Sequence, residues 1–182
     1  MDLPELINNA NYEHSRKVSA ISGLMAEKAG LPQSGSRDIA QAALYHDVGK
    51  SAVPPDIINK PASLTPAEYE IIKTHTTAGV RQINDVVRLL TIAGILAGQH
   101  HEHVDGRGYH HLSGDKIHPY AKLVACADVF DALYSQRPYK ERWDLAKIRR
   151  YFITQSGNQF DPVMVDVLFS ILDDVLALYK NE

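Results

Sequence analysis

The sequence is rich in histidine, and several histidines stand beside aspartates or within apolar segments. Nine of the 182 residues are histidine, and they are internal and irregularly spaced, unlike a terminal tag. Histidine is the commonest metal-ligating side chain and is neutral over much of the physiological pH range. The pair His46-Asp47 follows the apolar run Ala42–Tyr45. Burying an imidazole beside a carboxylate is costly unless a partner such as a divalent cation compensates.

An isolated His-Asp pair is more simply explained as a helix end with a capping histidine and a surface aspartate. Further acidic and imidazole side chains on predicted apolar helix faces favour a metal site over this simpler explanation. Asp128, for example, stands between Ala127 and Val129, where an unpaired carboxylate is costly. Helical bundles build metal sites from inward-pointing side chains, so the set predicts such a site. The candidate ligands are His14, His46, Asp47, His75, His100, His101 and Asp128.

The segments that must position these groups are predicted to be helical. Apolar residues recur at steps of three, four or seven from Ile7 to Met25, and Gly30-Leu31-Pro32 ends this first helix. Ser36 is predicted to cap a second helix that reaches His46. Pro54-Pro55 then predicts a non-helical stretch.

The middle of the chain contains a helix-capping motif and, further along, a long predicted loop. Thr65-Pro66-Ala67-Glu68 is a capping box with proline at the first helical position. Residues 86–101 are predicted to hold the end of this helix and all of another. The segment 103–119 contains three glycines and is predicted to be a loop.

Small residues favour a close-packed helix over Tyr120–Tyr134, although residues 122–129 could alternatively form a buried strand. Asp144 is predicted to cap a helix that ends at Gly157. Asp161-Pro162 is predicted to start one last helix, with Met164, Leu168, Ile171 and Val175 as its core stripe. We therefore predict an all-α fold, a single helical bundle of about seven or more helices with the metal site in its core. No composition break divides residues 1–182, so we expect one domain and no separate regulatory domain.

Bulk composition narrows the possible partners and the compartment. The net charge of −3 does not favour a polymeric nucleic acid or an anionic membrane surface. The one cysteine, Cys126, excludes an internal disulfide framework, fits a reducing compartment and is expected to be a small buried residue. Neither a signal peptide nor an apolar run of the ~20 residues that a membrane span needs is present in the sequence. A cytoplasmic protein is expected.

The order His14, His46-Asp47, Asp128 resembles the H…HD…D signature of the HD phosphohydrolase superfamily. Further motifs are similar to those of its HD-GYP subfamily of bacterial cyclic di-GMP phosphodiesterases. A bare HD pair is shared by many hydrolases, whereas this ordered set, strongest over residues 14–169, is far more specific. The motifs are HDVGK (46–50), KPASLT (60–65), IKTH (72–75), HHEHVDGRGYH (100–110), ADVFDALYSQRPYK (127–140) and GNQFDP (157–162).

The resemblance implies an HD-type bundle with two metal ions and catalytic roles for Asp47 and Lys50. Lys50 would neutralise the scissile phosphate, and Arg137 and Lys140 match family positions that contact nucleotide phosphates. Asp131 is either a residue that orients a ligand or a charge on the helix surface. The implied ligands are His14, His46, Asp47 and Asp128 for one metal, and Asp47 as a bridge with His75, His100 and His101 for the other.

The implied reaction is hydrolysis of cyclic di-GMP to linear pGpG, with GMP as a possible further product. Metal-activated hydroxide would attack in line and expel a ribose 3′-oxygen, with Lys50 stabilising the developing charge. A ligand set of nitrogen and oxygen favours iron or manganese, as the resemblance also does, with zinc and nickel as alternatives. Two other functions stay open: an HD hydrolase of another cyclic dinucleotide or nucleotide phosphodiester, and a catalytically weak cyclic di-GMP-binding module that docks a protein partner through the 103–119 loop.

The sequence departs from the family pattern at its signature tripeptide. Gly108-Tyr109-His110 stands where the family has Gly-Tyr-Pro, and because histidine does not restrict the chain as proline does, a more mobile loop is expected. Tyr109 is expected to pack this loop down. His110 is more simply a solvated loop residue than a ligand. Ala10 replaces a glutamate that supports a third metal in some members, so two metals are expected.

Overall fold

The computed structural model describes residues 12–86, 91–136 and 141–180. The predicted features at Ile7, Ala10, Arg137 and Lys140 lie outside these residues. Within them the chain forms α-helices joined by turns, with short 3-10 helices at Val48–Ala52 and Gly114–Lys116, and the prediction of an all-α fold is confirmed. In chain order the helices are α1 (Tyr12–Lys28), α2 (Gln33–Ala43), α3 (Pro55–Ile58), α4 (Pro66–Val86), α5 (Thr91–Gln99), α6 (Pro119–Tyr134), α7 (Leu145–Gln155), α8 (Pro162–Ser170) and α9 (Leu172–Ala177).

Helix α6 is the centre of the bundle. It packs against α1, α5, α7 and α8 and buries residues on all its faces, including Phe130 and Cys126. A helix that is apolar all round is stable only inside a protein, so its position follows from its composition. The alternative of a strand over residues 122–129 is therefore wrong. None of the described helices has the length and apolarity that spanning a bilayer would require.

Two of the helix caps that the sequence predicted are confirmed. The Thr65 N–H donates to Glu68 Oε2 (2.8 Å) and the Glu68 N–H donates to Thr65 Oγ1 (3.3 Å), which makes the predicted capping box at α4. Asp144 accepts a hydrogen bond from the Lys147 N–H (2.7 Å) at the start of α7. Local hydrogen bonding between neighbours specifies these ends, so the sequence shows them directly.

The prediction for the second helix is wrong at both ends. Helix α2 begins at Gln33, and Ser36 is buried in its first turn instead of capping it. The helix ends at Ala43 because the following N–H groups bond three residues back: the His46 N–H lies 3.2 Å from the Ala43 carbonyl oxygen, and the Val48 N–H lies 3.1 Å from that of Tyr45. His46 and Asp47 therefore stand in a tight turn that leads into a 3-10 helix, not on a regular α-helix.

Two other predictions are corrected. Pro54-Pro55 does not prevent helix formation, because proline is tolerated at the first helical position and Pro55 begins the short helix α3. The predicted single last helix is broken at Ile171, whose φ of −117° and ψ of 20° are not helical. The break gives α9 a direction of its own, and α9 packs against α1.

The 3-10 helix Val48–Ala52 meets α4 backbone to backbone at Gly49. A Cβ atom on Gly49 would lie 1.9 Å from the His75 carbonyl oxygen and 2.3 Å from the Gly79 nitrogen, distances that no side chain can occupy. Glycine is required here because the two backbones touch, and this contact places the turn at His46-Asp47 against the helix that carries His75.

We predict that Gly49→Ala destabilises the protein by roughly 3 kcal/mol or more, since backbone and not a flexible side chain must move to admit the methyl group. Urea unfolding followed by circular dichroism measures this as a lower midpoint concentration. The matched control is Gly35→Ala in α2, where the new Cβ would have only ordinary 3.8 Å contacts. That variant should gain up to about 1 kcal/mol from helix propensity. Equal midpoints for the two variants would contradict the close approach.

Candidate metal centre

The seven candidate ligands meet in the interior of the bundle, although they come from three helices and two turns. His14 comes from α1, His75 from α4 and Asp128 from α6. In each of two groups, one possible donor atom of every member lies within 4.8 Å of the others. The first group is His14, His46 and Asp128, and the second is Asp47, His75, His100 and His101.

Asp47 lies between the two groups and turns one oxygen toward each. Its Oδ1 is 3.4 Å from His75 Nε2 and 3.7 Å from His100 Nε2. Its Oδ2 is 3.3 Å from His46 Nε2 and 3.9 Å from His14 Nε2. A carboxylate in this position can join two cations.

The backbone orients three of the imidazoles. In His46, His75 and His100, Nδ1 lies 2.8, 2.7 and 2.9 Å from a carbonyl oxygen three or four residues earlier in the chain. A ring nitrogen at this distance from a carbonyl must carry the hydrogen, which leaves Nε2 of each neutral ring with a lone pair. All three lone pairs are therefore available to the cluster. Metal-ligating histidines typically have such an oriented second nitrogen.

These lone pairs have no hydrogen to accept. Nε2 of His46, His75 and His100 and Oδ1 of Asp47 are buried and lack a hydrogen-bond partner among the described residues. Each such atom costs about 1–3 kcal/mol, and acceptors that face one another cannot satisfy one another. A cation can accept the lone pairs of all these atoms at once. The nitrogen and oxygen donor set thus fits divalent metal ions.

Burial and neighbouring charges hold the ligands in the protonation states that a metal requires. Burial lowers the pKa of His75 to about 4, against the opposing effect of Asp47, so this ring is neutral at pH 7. Burial, together with His100, lowers the pKa of His101 well below its usual range. Burial alone would raise the pKa of Asp47, but Lys50 and His46 hold it well below its usual range, so Asp47 is ionised.

His14 differs from the other histidines because carboxylates contact both of its ring nitrogens. Nδ1 is 2.6 Å from Asp131 Oδ2, and Nε2 is 3.1 Å from Asp128 Oδ1. Burial opposes the charged form, but hydrogen bonds with Asp128 and Asp131 outweigh it and raise the His14 pKa to about 9. Asp131 is only 1% exposed, which excludes the interpretation that it is a charge on the helix surface.

Lys50 lies at the edge of the cluster. Its Nζ forms an ion pair with Asp47 Oδ2, and its side chain is 29% exposed. It can therefore reach both the interior cluster and a molecule that approaches from outside. The other predicted phosphate contacts, Arg137 and Lys140, lie outside the described residues.

A buried glutamate that the sequence analysis missed anchors the loop next to the cluster. Glu102, 3% exposed, accepts hydrogen bonds from the N–H groups of His110 (2.7 Å) and Leu112 (2.8 Å). The tight packing of Gly108, whose Cβ would lie 2.4 Å from Glu102 Cα, brings the loop this close. No local sequence signal distinguishes this glutamate from a solvated loop residue, because its partners are eight and ten residues away.

The altered tripeptide makes contacts of its own. His110 Nε2 lies 2.8 Å from Thr76 Oγ1, and since the Thr76 hydroxyl donates to the Lys73 carbonyl oxygen (2.9 Å), His110 is the donor. Its N–H bond to Glu102 is one that proline could not make. His110 belongs to neither ligand group. Tyr109 packs on the cluster with its ring centre 4.6 Å from that of His101, as expected for a residue that packs the loop down.

We predict that Glu102→Gln loosens this loop, because an amide can accept only one of the two N–H groups well and turns its own donor toward the other. Losing one charge-assisted bond of about 1.5–3 kcal/mol should speed amide exchange at His110 or Leu112 roughly tenfold to hundredfold. Hydrogen-exchange mass spectrometry measures this change in the amide exchange rate. Glu70→Gln, at an exposed residue of α4 that pairs with Lys73, is the control and should leave the loop unchanged. Unchanged exchange in Glu102→Gln would disprove the anchoring role.

Comparison with known proteins identifies a family that matches this chain. Residues 2–164 match the HD domain family model. The chain is 41% identical over 154 residues to the cyclic di-GMP phosphodiesterase response regulator RpfG of Xanthomonas campestris pv. campestris, an alignment that covers 84% of this chain and 41% of that protein. It is 37% identical over 167 residues to the 3'3'-cGAMP-specific phosphodiesterase 2 of Vibrio cholerae serotype O1, covering 91% of this chain and 32% of that protein. The chain thus spans less than half the length of these two relatives.

A solved structure shows the same fold. It is that of Bd1817, a HDG"Y"P protein from Bdellovibrio bacteriovorus, which superposes with a TM-score of 0.73 at 23% sequence identity. The match covers 88% of this chain and 51% of that one. At this identity the likeness concerns the path of the helices, and it confirms an HD-type bundle.

Proposed function

The chain belongs to the HD domain family, and we propose that it is a metal-dependent phosphodiesterase that hydrolyses cyclic di-GMP to linear pGpG. The observation that carries the proposal is the cluster of buried Nε2 and Oδ1 atoms that face one another without a hydrogen to share. One relative is named for cyclic di-GMP and another for 3'3'-cGAMP, which supports a cyclic dinucleotide as the substrate class.

The two ligand groups support a site for two divalent ions. Two such ions would polarise the scissile phosphate and lower the pKa of a water molecule toward neutrality. Iron or manganese suits the nitrogen and oxygen donors, with zinc or nickel as alternatives. His14, His46 and Asp128 would hold one ion, His75, His100 and His101 the other, and Asp47 would join them through its two oxygens.

The protein's own residues divide the remaining work. Neutral His75 and His101 and ionised Asp47 present lone pairs and negative charge without first losing protons. The partly exposed Lys50, beside Asp47, would contact the phosphate and stabilise the charge that develops on its oxygens. Arg137 and Lys140 are proposed as further phosphate contacts on the strength of their motif alone.

We expect protein purified without oxygen and supplied with Fe²⁺ or Mn²⁺ to bind two ions per chain and convert cyclic di-GMP to pGpG. Asp47→Asn should lower turnover by roughly 10³-fold or more and reduce the metal content, since it weakens ligation of both ions. Metal analysis and chromatographic separation of products measure the two effects. The control is Asp166→Asn, which makes the same chemical change at an exposed residue of α8 and should keep full turnover.

Other outcomes would select another function. Turnover of 3'3'-cGAMP or another cyclic dinucleotide, with none of cyclic di-GMP, would favour an HD hydrolase of different specificity. Bound cyclic di-GMP without turnover in protein that holds both ions would favour a binding module that docks a partner through the 103–119 loop. Protein that binds no divalent ion under these conditions would refute the proposal.

We also expect metal binding to release about one proton at pH 7. With a pKa of about 9, His14 carries a proton on both ring nitrogens in the metal-free protein, and ligation through Nε2 requires one to leave. Because the free state holds the proton and the loaded state does not, affinity should rise about tenfold per pH unit from pH 7 to 9. Titration calorimetry in buffers of different ionisation enthalpy measures the release. His14→Gln should abolish it, and a binding enthalpy that is independent of the buffer in the unaltered protein would contradict it.

A further inference from the structure

A tyrosine near the end of the described chain reaches the carboxylate that orients His14. The Tyr179 hydroxyl donates to Asp131 Oδ1 at 2.8 Å, and both side chains are buried, with 9% and 1% exposure. Ser135 Oγ donates to the same oxygen at 2.7 Å. Tyr179 follows α9 and lies 48 residues from Asp131. No sequence motif singled it out.

The two donors on Oδ1 determine which way the Asp131 carboxylate faces. Oδ1 accepts from Tyr179 and Ser135, so Oδ2 is left for His14 Nδ1, 2.6 Å away. A carboxylate can rotate about its bond to Cβ, and hydrogen bonds on one oxygen remove that freedom. The relay from Tyr179 through Asp131 thus sets the plane of the His14 ring and the direction of its Nε2.

The tyrosine ring itself is held firmly. Its centre lies 4.8 Å from that of Tyr134 and 6.4 Å from that of Phe130, both on α6. Lys17 Nζ lies 4.6 Å from the ring centre on the α1 side. These contacts place the hydroxyl in one position against α6, so it can transmit that position to Asp131.

Three of the other histidines do not depend on such a relay. Those at 46, 75 and 100 are oriented by carbonyl oxygens of their own segments, three or four residues away. His14 is oriented by Asp131, 117 residues away, and Asp131 is oriented by Tyr179 in the turn 178–180 that follows α9, called here the C-terminal turn. The two ligand groups therefore differ in what they require from the rest of the fold.

We propose that Tyr179 is a positioning residue for the metal ion held by His14, His46 and Asp128, and that it couples the C-terminal turn to the affinity for this ion alone. The inference rests on the proposed function, since it assumes that both ligand groups bind metal. Removing the hydroxyl leaves Asp131 Oδ1 with one donor, Ser135, so the orientation of the carboxylate is held less firmly. The His14 group then loses its alignment, whereas the group around His75 keeps its own.

The test compares Tyr179→Phe with Tyr134→Phe, which removes a hydroxyl from the neighbouring ring without touching Asp131. Binding of Mn²⁺ and of Co²⁺ to metal-free protein is measured by titration calorimetry, and the Co²⁺ absorption spectrum is recorded during the titration. In Tyr179→Phe, affinity for one of the two ions should fall about tenfold or more, with a changed spectrum for that ion only. Tyr134→Phe should match the unaltered protein for both ions.

The outcomes separate the two proposals. Unaltered protein that binds neither ion would refute the proposed function itself. Unaltered protein with two ions and a Tyr179→Phe variant with the same affinities and spectrum would overturn only the role of Tyr179, as would an equal loss of both ions. If Tyr179→Phe does not fold, Ser135→Ala removes the other donor to Asp131 Oδ1 and should lower the affinity for the same ion. Unchanged binding in Ser135→Ala would then overturn the inference.

Discussion

The contact on which this structure depends is the approach of buried acceptor atoms to the two oxygens of Asp47. The Nε2 atoms of three imidazoles point at this carboxylate, and in the neutral form of each ring this nitrogen cannot donate, because the one ring hydrogen is already bonded to a carbonyl oxygen. Such an arrangement is stable only if something positive is shared among the acceptors. Part of the bundle's interior is therefore a set of acceptor atoms that a cation would satisfy. Packing of the core does not require such a set, so it indicates a function.

Local backbone geometry prepares most of that site. The tight turn after α2 places His46 and Asp47 on the same side of the chain, and the absence of a side chain at Gly49 lets this turn rest directly on α4. The rings of His46, His75 and His100 are each oriented by a carbonyl oxygen three or four residues earlier in the chain. His14 is the exception, since it depends on Asp131 and through it on Tyr179. The site thus combines a part built from local contacts with a part that requires the whole bundle.

Lys50 and the loop that carries Tyr109 border the cluster. Lys50 pairs with Asp47 at the edge of the cluster while remaining partly exposed, and Tyr109 covers the rings of His75 and His101. Glu102 anchors this loop by accepting hydrogen bonds from two of its N–H groups. The histidine that replaces proline in the tripeptide adds two hydrogen bonds to this arrangement, one from its ring to Thr76 and one from its N–H to Glu102.

The sequence by itself determined the helical class, the capping box at Thr65, the cap at Asp144 and the candidate ligands, because helix periodicity, caps and acids in apolar segments are local patterns. It misplaced the ends of α2 and missed the break at Ile171, where competing turn geometries differ little in local energy. The division of the ligands into two groups around Asp47 was implied by the family resemblance, and the tertiary structure gives it a geometry. Only the tertiary structure decided that Asp131 is buried, that Glu102 binds the loop and that Tyr179 reaches Asp131. Those facts depend on contacts between residues distant in the chain, and the packing of the helices alone brings such residues together.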